Sequence, residues 1–125
     1  MADIYDLVRE MLAKPTVGEL ATISPENEPW VVPVGLSFDQ SVLSWQSFED
    51  TRHSQYVEKN PQVAFNVLTD DGQKAVYGRA TVMRTHPGEG GRTKFVADIT
   101  EIWYVPDEKV NGVFIPRQEL DPEKL

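Results

Sequence analysis

Six runs of strand-forming residues, joined mostly by hairpin-length turns, predict a mainly β fold: a six-stranded antiparallel β-barrel with two short helices. Helical periodicity is confined to two short segments. At 125 residues, 40% of them hydrophobic, the chain supports one domain with one core and leaves little room for a second. Closing the strands into a barrel removes sheet edges that would otherwise be exposed.

Residues 3–13 read as an amphipathic helix. Asp3 is placed to cap it, Ile4, Leu7, Val8, Met11 and Leu12 recur on one face, and Lys14-Pro15 stops it. From Val17 to Ser24 the residues favour a strand. Pro25 to Pro29 is a turn, and Trp30 to Phe38 resumes as a second strand. Pro33 and Gly35 within it point to an edge or a bulge, because proline cannot donate to a ladder and glycine carries no side chain. Asp39-Gln40-Ser41 turns the chain into a third strand, Val42 to Gln46. A short helix opens at Asp50 or Thr51 and runs through Lys59 to Asn60-Pro61. Val63 to Leu68 and Lys74 to Arg84 are strands four and five, around the turn Asp70-Asp71-Gly72. A flexible stretch, 86–91, precedes a sixth strand from about Thr93 to Val105. Residues 106–125 read as a polar, acidic tail with Val113, Phe114 and Ile115 as its apolar anchor.

Charge and composition narrow the function. The net charge is −8 and the twelve Lys and Arg are scattered, which argues against nucleic acid. There is no cysteine, so disulfides, thiolate zinc sites and thiol catalysis are excluded. No leader is visible at Met1-Ala2-Asp3-Ile4 and no apolar run reaches a membrane span's length, so the cytoplasm is the expected location. His53 and His86 stand in no metal-ligand spacing, and no hydrolase or phosphate-loop motif occurs. The segment Ser47-Phe48-Glu49-Asp50-Thr51-Arg52-His53 stands out. It sets a hydroxyl, a guanidinium and an imidazole at a helix start, where backbone N–H groups favour an anion and arginine matches phosphate geometry. On spacing alone a plainer reading competes: Thr51 caps the helix, and Arg52 and His53 are simply solvated.

Three blocks in this order carry a resemblance. They are A-T-I-S-P-E-N-E-P-W-V-V-P-V (21–34), L-S-W-Q-S-F-E-D-T-R-H-S-Q-Y-V-E-K-N-P-Q-V (43–63) and Q-K-A-V-Y-G-R-A-T-V (73–82). Together they resemble the pyridoxamine-phosphate oxidase-like split-barrel family over roughly residues 18–84, which implies a split barrel that binds FMN. The resemblance sets Thr51, Arg52 and His53 at the family's phosphate-binding S-R-K. It lays Val31, Val32, Pro33 and Val34 along the isoalloxazine, with backbone groups toward its polar edge. It turns Gln46 and Ser47 to the ring and phosphate, and lets Gln73 reach the flavin, often from a partner subunit. Trp103 falls where the family often has an aromatic near the flavin, with core or dimer packing as the competing reading.

The chain also departs from the family pattern. His53 replaces a lysine, and the basic positions of the second strand are the apolar Val31 and Leu36. The larger oxidases' C-terminal Arg/His motif and the helix before the last strand have no counterpart. Pyridoxamine-phosphate oxidation is therefore not expected, and the chain looks like a minimal member. The resemblance implies a homodimer with FMN between subunits, acting as a small flavin reductase or oxidoreductase on a small-molecule electron donor or acceptor. Trp30, Trp45 and Trp103, more aromatic surface than one small core needs, add to the expectation of a dimer. A non-catalytic FMN-binding or electron-transfer module, a cofactor-free relative and a deazaflavin-binding relative are the alternatives.

Overall fold

A computed structural model describes residues 3–106 and 108–125. Met1 and Ala2, part of the N-terminal reading, and Asp107 in the tail lie outside the described residues.

Helix α1, Ile4–Leu12, starts where Asp3 accepts a hydrogen bond from the Tyr5 amide at 3.2 Å, and it buries Val8 and Leu12 against the barrel. Strands β1, Thr16–Ile23, and β2, Pro29–Asp39, form the first hairpin. Its turn is set by the buried Ser24 hydroxyl, which accepts from the amides of Glu26 and Glu28 at 3.2 and 3.0 Å. Strand β3, Val42–Phe48, then leads into α2, Arg52–Lys59. Strands β4, Gln62–Leu68, β5, Ala75–Pro87, and β6, Arg92–Val105, complete the barrel, which closes by pairing of β6 with β3. The strand order β3-β2-β1-β4-β5-β6, all antiparallel and returning to β3, is a closed six-stranded barrel.

The period of two sets the core. Leu20, Leu36, Leu43, Trp45, Phe65, Val76 and Ile102 point inward and are buried. Trp45 stacks on Phe95 with ring centroids 5.4 Å apart, and Phe38 meets Phe65 edge-on at 5.6 Å. Trp45 therefore belongs to the core and is not surplus surface.

Three expectations are corrected. Strand β5 runs on to Pro87, so 86–91 is a tight connection with a 3₁₀ turn at Glu89–Gly91 and not a long loose stretch. The tail is not merely polar. After a small hairpin of β7, Lys109–Val110, and β8, Val113–Phe114, strand β9, Gln118–Leu120, adds to β6 and buries Leu120. Val113 and Phe114 are exposed, so Leu120 is the anchor, supported by the Asp121 amide donating to the Tyr5 hydroxyl at 2.9 Å and by Arg9 donating to the Lys124 carbonyl.

Candidate functional site

The barrel is split between β2 and β3. These strands pair from Ser37–Ser44 to Asp39–Val42, while β2 continues to Pro29 with β1 as its only strand neighbour among the described residues. Residues 29–36 therefore present an unpaired backbone edge, and Pro33 and Gly35 lie on it, as their chemistry requires. Val31 and Pro33 face outward, Val31 with 62% of its surface exposed, while Val32 and Val34 turn toward the core and are half-buried.

Helix α2 starts beside the open end of the split. Thr51 caps it, its hydroxyl oxygen accepting from the Ser54 amide at 3.4 Å, and the hydroxyl donates to the Phe48 carbonyl at 2.9 Å. The first amides of the helix, those of Arg52 and His53, are left without intrahelical partners by the geometry of any helix start. The Arg52 guanidinium is exposed and lies 4.6 Å from the centroid of Trp30, on a cavity of about 200 Å³ shared with Ser24, Glu26, Glu28 and Tyr56.

His53 points the other way. It is only 8% exposed, and its Nε2 lies 2.7 Å from the buried hydroxyl of Ser47 and 3.5 Å from that of Thr51. Burial pushes its pKa below the ordinary imidazole value, so near neutrality the ring is uncharged. His53 is thus a buried polar partner of Ser47 and not an exposed substitute for a lysine. Gln46 and Ser47, expected to act together, lie on opposite faces of β3, as neighbours in a strand must. Ser47 points in, to His53, and Gln46 points out, into a groove of about 380 Å³. That groove is walled by Gly35 and Ser37 of β2, Ser44 and Gln46 of β3, and Arg92 and Lys94 of β6. The indole N–H of Trp45, which also contributes to this wall, is buried and has no partner among the described residues.

Gln73 and Trp103 are not brought to this place within one subunit. Gln73 is exposed in the turn after β4, its amide donating to Asp71 at 3.0 Å. The length of β4, about 20 Å at the rise of a strand, separates that turn from α2. Trp103 is half-buried on β6 opposite Tyr77, its indole donating to Glu101 at 2.8 Å, and Glu101 in turn pairs with Arg79. Beside them Tyr77, Val31, Ala21, Ala64 and Arg117 line a shallow outer cavity of about 340 Å³. The reading of the sequence missed Trp30 as the partner of Arg52, and it missed Arg92 and Lys94. The second pair was signalled by two cations spaced two apart on a strand, hence on one face.

Among the described residues no cluster of His, Asp or Glu has the arrangement of a metal site, and no helix is long and apolar enough to cross a membrane. The chain is similar in structure to an F420 reductase, with a TM-score of 0.70 and 20% identity, covering 75% of this chain and 94% of that one. It is similar to a heme binding protein from Mycobacterium smegmatis, with a TM-score of 0.78 and 14% identity, covering 99% of this chain and 60% of that one. A FAD-binding protein from Mesorhizobium loti gives a TM-score of 0.62 at 17% identity, covering 81% and 90%. At such identities the likeness is one of fold. No curated protein matches the chain in sequence. The family model of pyridoxamine 5'-phosphate oxidase matches residues 4–112, which spans α1, the whole barrel and the split with its flanking cations, and the chain belongs to that family.

Proposed function

We propose that the chain binds FMN along the free edge of β2, with the phosphate at the start of α2, and acts as a small flavin-dependent oxidoreductase or flavin reductase. The observation that carries this reading is the edge itself. From Pro29 to Leu36, β2 has no neighbour on its β3 side among the described residues, so its backbone offers C=O acceptors and N–H donors there, Pro29 and Pro33 having no N–H. An isoalloxazine has complementary acceptors and one N–H along its polar rim, and flavin binding is the general property of the family. The donor set at the other end fits a phosphate: the exposed Arg52 guanidinium beside the first amides of α2.

Bound there, the flavin would supply the electron chemistry that the side chains themselves lack. The chain's part is to position it. Val31, Val32, Pro33 and Val34 offer the edge and Gln46 an amide from across the split. Arg52 carries the charge for the phosphate. Ser47, Thr51 and His53 hold the helix start to β3, the neutral imidazole contributing no charge at physiological pH. The same reading includes a homodimer with C2 symmetry, the default for such a subunit. A second copy against the outer face that exposes Val17 and Val31 beside Tyr77 and Trp103 would bring Gln73 or Trp103 toward the flavin from its partner. Sedimentation of a flavin-loaded protein as a strict monomer at micromolar concentration would sink the dimer.

The test of the phosphate assignment compares FMN with riboflavin. Arg52→Ala is expected to weaken FMN binding by roughly ten- to hundredfold, the worth of about 1.5–3 kcal/mol for a charge-assisted hydrogen bond, and to leave riboflavin nearly unchanged. Lys59→Ala, at the far end of α2, is the control. Equal losses for both ligands, or for both variants, would overturn the assignment. Absorbance and mass identification of any cofactor released on purification distinguishes FMN from FAD, a deazaflavin or haem. Reduction of the bound flavin by NADH or NADPH separates an enzyme from an electron-transfer module.

A further inference from the structure

The proposed flavin edge leaves unexplained the cationic wall next to it. Arg92 and Lys94 are exposed on the same outward face of β6, beside Ser44 and Gln46 of β3, on a groove that Gly35 and Ser37 of β2 also line. Two residues apart on a strand, their side chains leave the backbone about 7 Å apart. Neither makes an ion pair with a described residue; Arg92 only lies 5.6 Å from the Phe48 ring centroid. Glu49, which the chain brings close, accepts from the hydroxyl of Thr93 at 3.1 Å, and Thr93 is buried on the opposite face of β6.

Charge makes this groove different from its neighbours. The protein carries a net −8, and three other cavities of its surface each hold a carboxylate, Asp39, Glu19 or Asp70, while the cavity at Arg52 holds Glu26 and Glu28 beside its guanidinium. The β2–β3–β6 groove holds two cations, two hydroxyls and an amide, and none of the residues lining it is acidic. Directly across from Lys94 on β5 stands His86. A concave site with unpaired cations and neutral donors, set in an otherwise acidic surface, is complementary to an anion.

We propose that Arg92 and Lys94, with Ser44 and Gln46, bind the phosphate or carboxylate group of a small anionic substrate, and hold the rest of that molecule toward the free edge of β2. This deepens the proposed function by naming a substrate class, and its orientation rests on that reading. The anion site itself does not require the flavin.

The two are tested apart by titrating the ¹⁵N-labelled full chain, with and without FMN, at constant ionic strength. Inorganic phosphate is the first probe and acetate the second, the two arms separating phosphate from carboxylate chemistry. Saturable shifts are expected at the amides of Ser44, Gln46, Arg92 and Lys94, and they persist when FMN occupies the Arg52 end. Arg92→Gln combined with Lys94→Gln is expected to weaken the tighter-bound anion by roughly tenfold or more, leaving FMN affinity unchanged. Lys109→Gln, on the exposed hairpin, is the control. Both substituted positions are exposed, and Lys94→Gln alone supplies a milder variant should the double one unfold. No saturable shift with either anion, shifts confined to the start of α2, or full affinity in the variants would overturn the proposal. Anion binding without any flavin binding would sink the flavin reading and keep this site. Flavin binding without anion binding would do the reverse.

Discussion

Strands β5 and β6 pair along their whole length, from Ala75–Val105 to Pro87–Thr93, through two register shifts, whereas β2 and β3 part company after Ser37–Ser44. The two regions differ in what their backbones do. In the closed region the two strands pair over nearly all their residues, apart from the two bulges, and side chains of the inner face are buried. In the split, one edge of β2 keeps its hydrogen-bonding capacity, and the residues around it stay partly exposed. The first region is the more fully paired of the two, and the second keeps backbone groups outside any ladder.

Tryptophan offers the sharpest way to break this contrast. Trp45, 3% exposed, is stacked within the closed β3–β6 region, while Trp30, 37% exposed, stands at the open end under Arg52. Trp45→Ala is expected to cost about 3–5 kcal/mol in urea unfolding, as a large buried side chain should. Trp30→Ala gives up a partly exposed ring and its cation–π contact with Arg52 and is expected to cost less, about 1–2 kcal/mol. Similar losses for both would mean that the split is as tightly packed as the rest.

Glycine repeats the comparison at the backbone. A Cβ added at Gly78 would fall on the Glu101 carbonyl of the neighbouring strand, whereas at Gly35 it would meet nothing within 4 Å. Gly78→Ala should cost about 3 kcal/mol, because strands must separate to admit it. Gly35→Ala should change stability by no more than about 0.5 kcal/mol. Thermal unfolding of the two variants decides the point, and a large loss at Gly35 would show that the edge is covered.

The smallest effect sharpens the contrast inside α2 itself, where consecutive residues face opposite ways. The folded pKa of His53 is held below its ordinary value by burial, so the unfolded chain binds the extra proton more readily. The stability this neutral ring contributes is fully present above about pH 6.5 and declines as pH falls through the lowered pKa. Asp71 and Glu101, whose carboxyls are held low by hydrogen bonds to Thr69 and Arg79, lose their contributions only in the more acidic carboxylate range. Urea midpoints between pH 7.5 and 5 should therefore fall for the parent chain and much less for His53→Gln. An equal slope in both would remove His53 from its buried place.

The elements were legible where the local pattern was strong. Alternation in β1, β4 and β6 and the i, i+3, i+4 spacing of α1 reflect one buried face each, and a buried face is written into the sequence as period. Strand β9 was not legible, since Gln118-Glu119-Leu120 offers a single apolar residue. It is a strand because β6 extends an edge to it opposite Ile102, Trp103 and Tyr104. The sites divide in the same manner. Arg52 at the mouth of α2 followed from a motif in consecutive residues. The pairing of His53 with Ser47, the distance of Gln73, and the groove of Arg92 and Lys94 each depend on which face of a strand or helix meets which neighbour.

From the sequence alone came the class of fold, six strands and two helices along the chain, Asp3 as a capping residue, and an edge or a bulge at Pro33 and Gly35. Those properties are local, set by the backbone chemistry and spacing of residues near one another in the chain. Only the tertiary structure decided that the barrel closes through β3 and β6 and parts between β2 and β3. It also decided that His53 is buried while Arg52 is exposed over Trp30. Closure joins residues more than forty positions apart, as Gln46 meets Lys94, and no local propensity records which edge will find a partner.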